Sequence, residues 1–145
     1  MEKIEFDSGV KSYRINKNQI LRFNPCDPNV YARFLQAADE ISQLEKSLTQ
    51  QAQQLNNDGA QAVKLLSQAD AQMKKILSWV FGEENDFDAI VGGVNLLAVA
   101  ENGQRVVTNL FEALTPLLTQ GMQRCAQEKA NEARDKAAAR RKAQC

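Results

Sequence analysis

The sequence predicts a mainly α protein: a helical bundle or hairpin with a small N-terminal antiparallel β element and a solvated C-terminal helical tail. Three observations carry this. Apolar residues alternate with polar ones only within residues 1–24. From Val30 to Met122 they recur at helical spacing. After Cys125 no leucine, isoleucine, valine or aromatic residue remains. The expected division is a single helical domain over 1–125, with the β element in 1–24 and helices in 27–125, followed by a polar helical tail over 126–145.

In the β element, Ile4 and Phe6 alternate with polar residues before the turn residues Ser8-Gly9. Tyr13 and Ile15 alternate before Asn16-Lys17-Asn18, and Leu21 and Phe23 alternate a third time. Period-two alternation between turn residues marks antiparallel strands, so two or three short strands are expected. A sheet that small is marginal alone and needs a helix to lean on.

Asn24-Pro25-Cys26-Asp27-Pro28 then punctuates the chain. Asp27 can accept from the orphan amides of a first helical turn, and Pro28 at the first helical position lacks an N–H that would be unpaired anyway. Val30, Phe34, Ala37, Ile41, Leu44, Leu48 and Leu55 form one apolar stripe. Asn56-Asn57-Asp58-Gly59 breaks it, with Asp58 placed to cap a second helix holding Val63, Leu66, Ala69, Met73, Ile76 and Val80. The stripe stays in phase across the break, so a single long helix is the alternative. The hairpin is favoured because a lone helix would leave its stripe uncovered.

Phe81-Gly82 ends that element, and Asp86 can cap a short helix stopped by Gly92-Gly93. A last long helix starts near Arg105, with Val106, Val107, Leu110, Phe111, Leu114, Leu117, Leu118 and Met122 on its core face. Pro116 should kink it or begin a fresh segment after Thr115. Beyond Cys125 helix propensity is high but there is no apolar face to bury. A fraying solvated helix, or a tail that orders against a partner, is expected there.

Bulk composition narrows the function classes. A chain of 145 residues with 43% hydrophobic content suits one folded domain. Eighteen basic residues balance eighteen acidic ones, so no overall field attracts nucleic acid or an anionic membrane. There is no histidine, which removes the usual acid–base group and the commonest metal ligand. Cys26, Cys125 and Cys145 form no CxxC pair, and an odd, widely spaced set does not read as a disulfide framework. The opening MEKIEF lacks a signal-peptide stretch, and no apolar run reaches the ~18 residues of a membrane span. A reducing cytoplasmic setting is expected.

No residue reads as catalytic or metal-binding, and no cofactor is expected. A cysteine without a histidine lacks a proton acceptor, and Asp27 beside Cys26 opposes thiolate formation. Glu83, Glu84, Asp86 and Asp88 cluster at a turn but lack the spacing of a calcium loop, so they read as capping acids on a solvated loop. Gly92-Gly93 is followed by no Gly-Lys-Ser or Gly-Lys-Thr. Arg134, Lys136, Arg140, Arg141 and Lys142 give the tail a local basic bias without aromatics for base stacking, so nucleic acid is not the expected partner. What remains is protein binding. The candidate partner-binding residues are Phe34, Ile41, Trp79, Phe81, Phe87, Leu110 and Phe111. Two long stripes with few elements to cover them also point to self-association, so a homo-oligomer is expected.

The phrase Arg22-Phe23-Asn24-Pro25-Cys26-Asp27-Pro28-Asn29-Val30-Tyr31-Ala32-Arg33-Phe34 leads from strands into helices. Val80-Phe81-Gly82, an acidic turn, Phe87-Asp88-Ala89-Ile90-Val91-Gly92-Gly93-Val94-Asn95 and a final helix with Thr115-Pro116 follow. Over residues 3–122 this order resembles the small tail assembly chaperones encoded by long-tailed phages and prophages of Gram-positive bacteria. The resemblance implies a protein that coats the hydrophobic, helical tape measure protein, keeps it soluble during tail-tube assembly, helps recruit tail-tube protein, and is absent from the finished virion. It carries over no functional residue. Two rivals stand beside it: a small phage-encoded inhibitor of a host defence protein, and an enzyme of unusual mechanism using the acids near Asp86.

Overall fold

The computed structural model describes residues 1–55 and 58–144. Strands β1 (Lys11–Ile15) and β2 (Gln19–Phe23) pair antiparallel, with Lys11 opposite Phe23 and Ile15 opposite Gln19. Asn16 takes a left-handed φ of 53° in the turn between them, a conformation its short polar side chain tolerates. The third strand expected around Ile4 and Phe6 does not form, and those side chains are 89% and 82% exposed. Alternation makes a segment fit for a strand, but a strand exists only where a second ladder accepts its hydrogen bonds.

Helices α1 (Pro28–Gln53) and α2 (Gly59–Phe81) are separate and antiparallel. Asp27 caps α1 by accepting from Asn29 N–H, and Asp58 caps α2 by accepting from Gln61 N–H. At the hairpin's open end, where α1 begins and α2 finishes, Arg33 Nε donates to Val80 O at 3.2 Å. The expected break therefore exists. Of its four residues Asp58 and Gly59 begin α2, while Asn56 and Asn57 lie outside the described residues. Gly82 ends α2 at φ 115°, a conformation that excludes a side chain with Cβ. Asp86 then caps the short α3 (Phe87–Ile90) through Asp88 N–H and Ala89 N–H.

Helix α4 (Val106–Gln144) passes through Pro116 as one element, so no fresh segment begins there. Proline cannot donate to the Glu112 carbonyl, but both residues are exposed and water can take its place. The helix buries Val107, Leu114 and Leu118, and is exposed throughout from Ala126 to Ala143. Among the described residues no helix is long and apolar enough to cross a membrane.

A chain of aromatic rings ties the elements together. Ring centroids lie 5.1 Å apart for Tyr13–Phe23, 4.9 Å for Phe23–Phe81, 5.6 Å for Phe81–Phe87 and 5.0 Å for Phe34–Phe111. Spacings of this kind add to the area each ring buries. The core therefore sits at one end of the α1/α2 hairpin. Toward the other end Leu44 and Leu48 are only half-buried, and Val63 is 63% exposed.

Two buried polar residues fix the surroundings of this core. Asn85 stands in for a strand: its Oδ1 accepts from Arg22 N–H at 2.9 Å, and its Nδ2 donates to Arg22 O at 2.9 Å and Phe81 O at 3.0 Å. That closes the outer edge of β2. Lys74 Nζ bonds Asp70 Oδ2 at 2.8 Å and Asp88 Oδ1 at 2.6 Å, while Asp70 Oδ1 accepts from Leu96 N–H at 2.7 Å. Burial alone would lower the Lys74 pKa. The hydrogen bonds and charges of Asp70 and Asp88 outweigh it, and the net shift is upward from 10.5.

Cys26 and Cys125 are not independent thiols. Cys26 and Cys125 are joined as a disulfide, with Cα atoms 5.9 Å apart, within the normal range for such a bridge. This corrects the reading that an odd, widely spaced set of cysteines is no disulfide framework; the two sit 99 residues apart and only the folded α4 brings them together. Gly121 makes the approach possible. A Cβ there would lie 2.6 Å from Pro25 O, so any larger residue would push α4 off the loop. Cys145 lies outside the described residues.

Candidate partner-binding groove

Helices α1 and α4 meet along their buried stripes, but small side chains beside those stripes keep them from closing. Ala38 and Ser42 flank Ile41 on α1; Thr108 and Thr115 flank Phe111 on α4. The result is an open groove of about 530 Å³, with Val107 and Pro116 completing its apolar wall. Phe111 is held by stacking on Phe34 with an interplanar angle of 26°, so the groove floor is fixed before anything binds. Glu45 and Glu112 stand on the rims. Glu45 is 3.8 Å from Arg105, a half-exposed pair of small energetic weight.

The seven candidate residues part company here. Ile41 and Phe111 line the groove together. Trp79, 43% exposed, lies elsewhere, with Ile76 in a depression between α1 and α2 edged by Gln36, Glu40, Lys75 and Glu83. Leu110 faces a third hollow of about 540 Å³ beside β1. Phe34, Phe81 and Phe87 are 3%, 4% and 1% exposed and pack on one another or on Phe23 and Phe111. They are core, not partner surface, because apolar burial at the open end of the hairpin, against β2 and α3, takes all three.

The groove-forming residues that sequence reasoning missed are the small ones: Ala38, Ser42, Thr108 and Thr115. Their signal was the isolated small side chains beside each stripe, Ala38 and Ser42 around Ile41 and Thr108 and Thr115 around Phe111, where a closed helix pair would carry Leu or Ile. Two of the four acids near the α2–α3 turn have structural partners. Asp86 caps α3 and Asp88 holds Lys74. Among the described residues no three His, Cys, Asp or Glu side chains converge as a metal site. The groove therefore offers shape, apolar surface and two rim carboxylates, an arrangement that suits an amphipathic helix with basic flanks. No family model, curated protein or solved structure matches the chain.

Proposed function

We propose that the chain acts by stoichiometric binding of a helical protein client, as a phage tail assembly chaperone that holds the tape measure protein soluble in the host cytoplasm and is left out of the virion. The observation that carries this reading is the open groove between α1 and α4, prebuilt by the Phe34–Phe111 stack and walled by Ile41, Val107 and Pro116. A groove of this kind takes the apolar face of a helix at i, i+3, i+4 and i+7 positions. Its rim carboxylates favour clients whose flanking positions are lysine or arginine. The order of sequence phrases from Arg22 to Thr115-Pro116 adds the resemblance that names the client.

Co-expression with the tape measure protein of the same genome tests it. The expected result is that the long protein becomes soluble and co-purifies with many copies of this chain. Thr108→Arg with Thr115→Arg, both on exposed positions, should fill the groove and abolish capture while leaving helical content unchanged. A tape measure protein that stays insoluble and unbound overturns the reading. In that case a host protein retained by the same groove would favour the inhibitor alternative.

A further inference from the structure

We propose that residues 1–10 are an exchange arm, which adds as a third strand to the free edge of β1 in a second copy of this chain. The arm is built for a strand yet has none to join. Lys3 Nζ and Glu5 Oε1 are 2.7 Å apart, an i, i+2 contact that places them on one side of an extended backbone. Ile4 and Phe6 share the opposite side, and both are almost fully exposed.

The sheet has one edge available. Asn85 occupies the outer edge of β2 through the N–H and C=O of Arg22. Arg22 pairs with Ser12 in the register, so Ser12 and Arg14 turn their backbone groups to the outer edge of β1. Among the described residues no hydrogen bond reaches those groups. Beside that edge lies the hollow of about 540 Å³, lined by Ile15, Val91, Val94 and Leu110. An added strand would set Ile4 and Phe6 over this hollow, continuing the face of Tyr13 and Ile15.

Charge selects a second copy as the occupant. The arm carries Glu2, Glu5 and Asp7 against Lys3 alone. Residues 11–23 carry Lys11, Arg14, Lys17 and Arg22 and no acid. Arm and edge are thus complementary within one sequence, which is what a symmetric exchange requires. In the structure the arm does not pair with its own β1. Asn24 Nδ2 donates to Ser8 O at 3.0 Å, Gly9 is pressed against the Asn24 side chain, and Asp7 Oδ1 accepts from Gly9 N–H at 2.8 Å. These contacts steer the arm past the β2 side of the hairpin. None of the client groove's residues takes part, so this inference stands or falls separately from the proposed function.

Sedimentation equilibrium of the full chain over a wide concentration range tests it, with circular dichroism as the folding control. Wild type should form a dimer that weakens with added salt. Ile4→Ser with Phe6→Ser should raise the dissociation constant by at least about tenfold, with unchanged helical signal because neither side chain packs in the monomer. Glu5→Arg and Arg14→Glu should each weaken self-association, and an equimolar mixture of the two should restore it. Hydrogen exchange at the Ser12 and Arg14 amides should slow as concentration rises. A chain that stays monomeric throughout overturns the proposal. So does a dimer indifferent to the Ile4 and Phe6 changes, or amide protection that is independent of concentration.

Discussion

From Val106 to Leu118, helix α4 buries Val107, Leu114 and Leu118 and stacks Phe111 on Phe34. From Ala126 to Ala143 the same helix buries nothing, yet it continues for about 28 Å at the usual rise. The first half mixes leucines with β-branched and aromatic residues of modest helix propensity, contains Pro116, and is held by its neighbours. The second is made of alanine, glutamine and long charged residues and holds itself, by propensity and short-range ion pairs. Tertiary burial and local preference can each sustain a helix, and the boundary between the two regimes falls at Gly121 and Cys125, where α4 touches the Pro25–Cys26 loop.

The contrast predicts a graded series. Leu118→Ala, at a fully buried site, should lower global stability by about 3 kcal/mol in denaturant titration. Asp70→Ala should cost about 2 kcal/mol, because it leaves the Leu96 N–H without a partner and removes one of the two anions on Lys74. Third comes pH. The raised Lys74 pKa means that its contribution is complete below the ordinary lysine value of 10.5 and is lost as pH climbs through the higher folded value, so stability should fall on the alkaline side. Glu132 behaves oppositely. Hydrogen bonds from Lys129 and Lys136 lower its pKa from 4.5, so its support is present above 4.5 and fades as pH drops through the lower folded value. Glu132 is fully exposed, so acid should loosen tail helicity without moving the global transition. The smallest global effect belongs to Ala130→Gly. It should speed amide exchange across the tail and shift the midpoint by no more than about 0.5 kcal/mol. A global loss comparable to that of Leu118→Ala would show that the tail is packed after all.

These differences explain what could be read in advance. Asp27-Pro28 and Asp58-Gly59 announce helix starts because capping is a local matter between neighbours in sequence. The β1–β2 hairpin is legible for the same reason, its turn and both strands lying within residues 11–23. Ile4 and Phe6 carry the same alternation, but whether a strand forms depends on a distant edge, and the sequence holds no sign of that edge being reachable. Lys74 looks like a surface residue until Asp70 and Asp88 surround it. Asn85 gives no hint that its amide will imitate a peptide group. Phe34, Phe81 and Trp79 are alike as large apolar residues near helix ends, yet two are core and one is surface. Only the α1–α2 crossing decides which. The groove was half legible, since Ile41 and Phe111 lie on predicted stripes, while its emptiness depends on Ala38 and Thr108 facing each other.

The link between Cys26 and Cys125 has a mechanical meaning. It closes residues 26–125 into a covalent ring, with the arm and β hairpin leaving on one side and the tail on the other. Tension applied between the two ends would run through the hairpin, across the sulfur bridge and into the tail. The α1/α2 pair and its groove would carry none of it until the bridge was reduced.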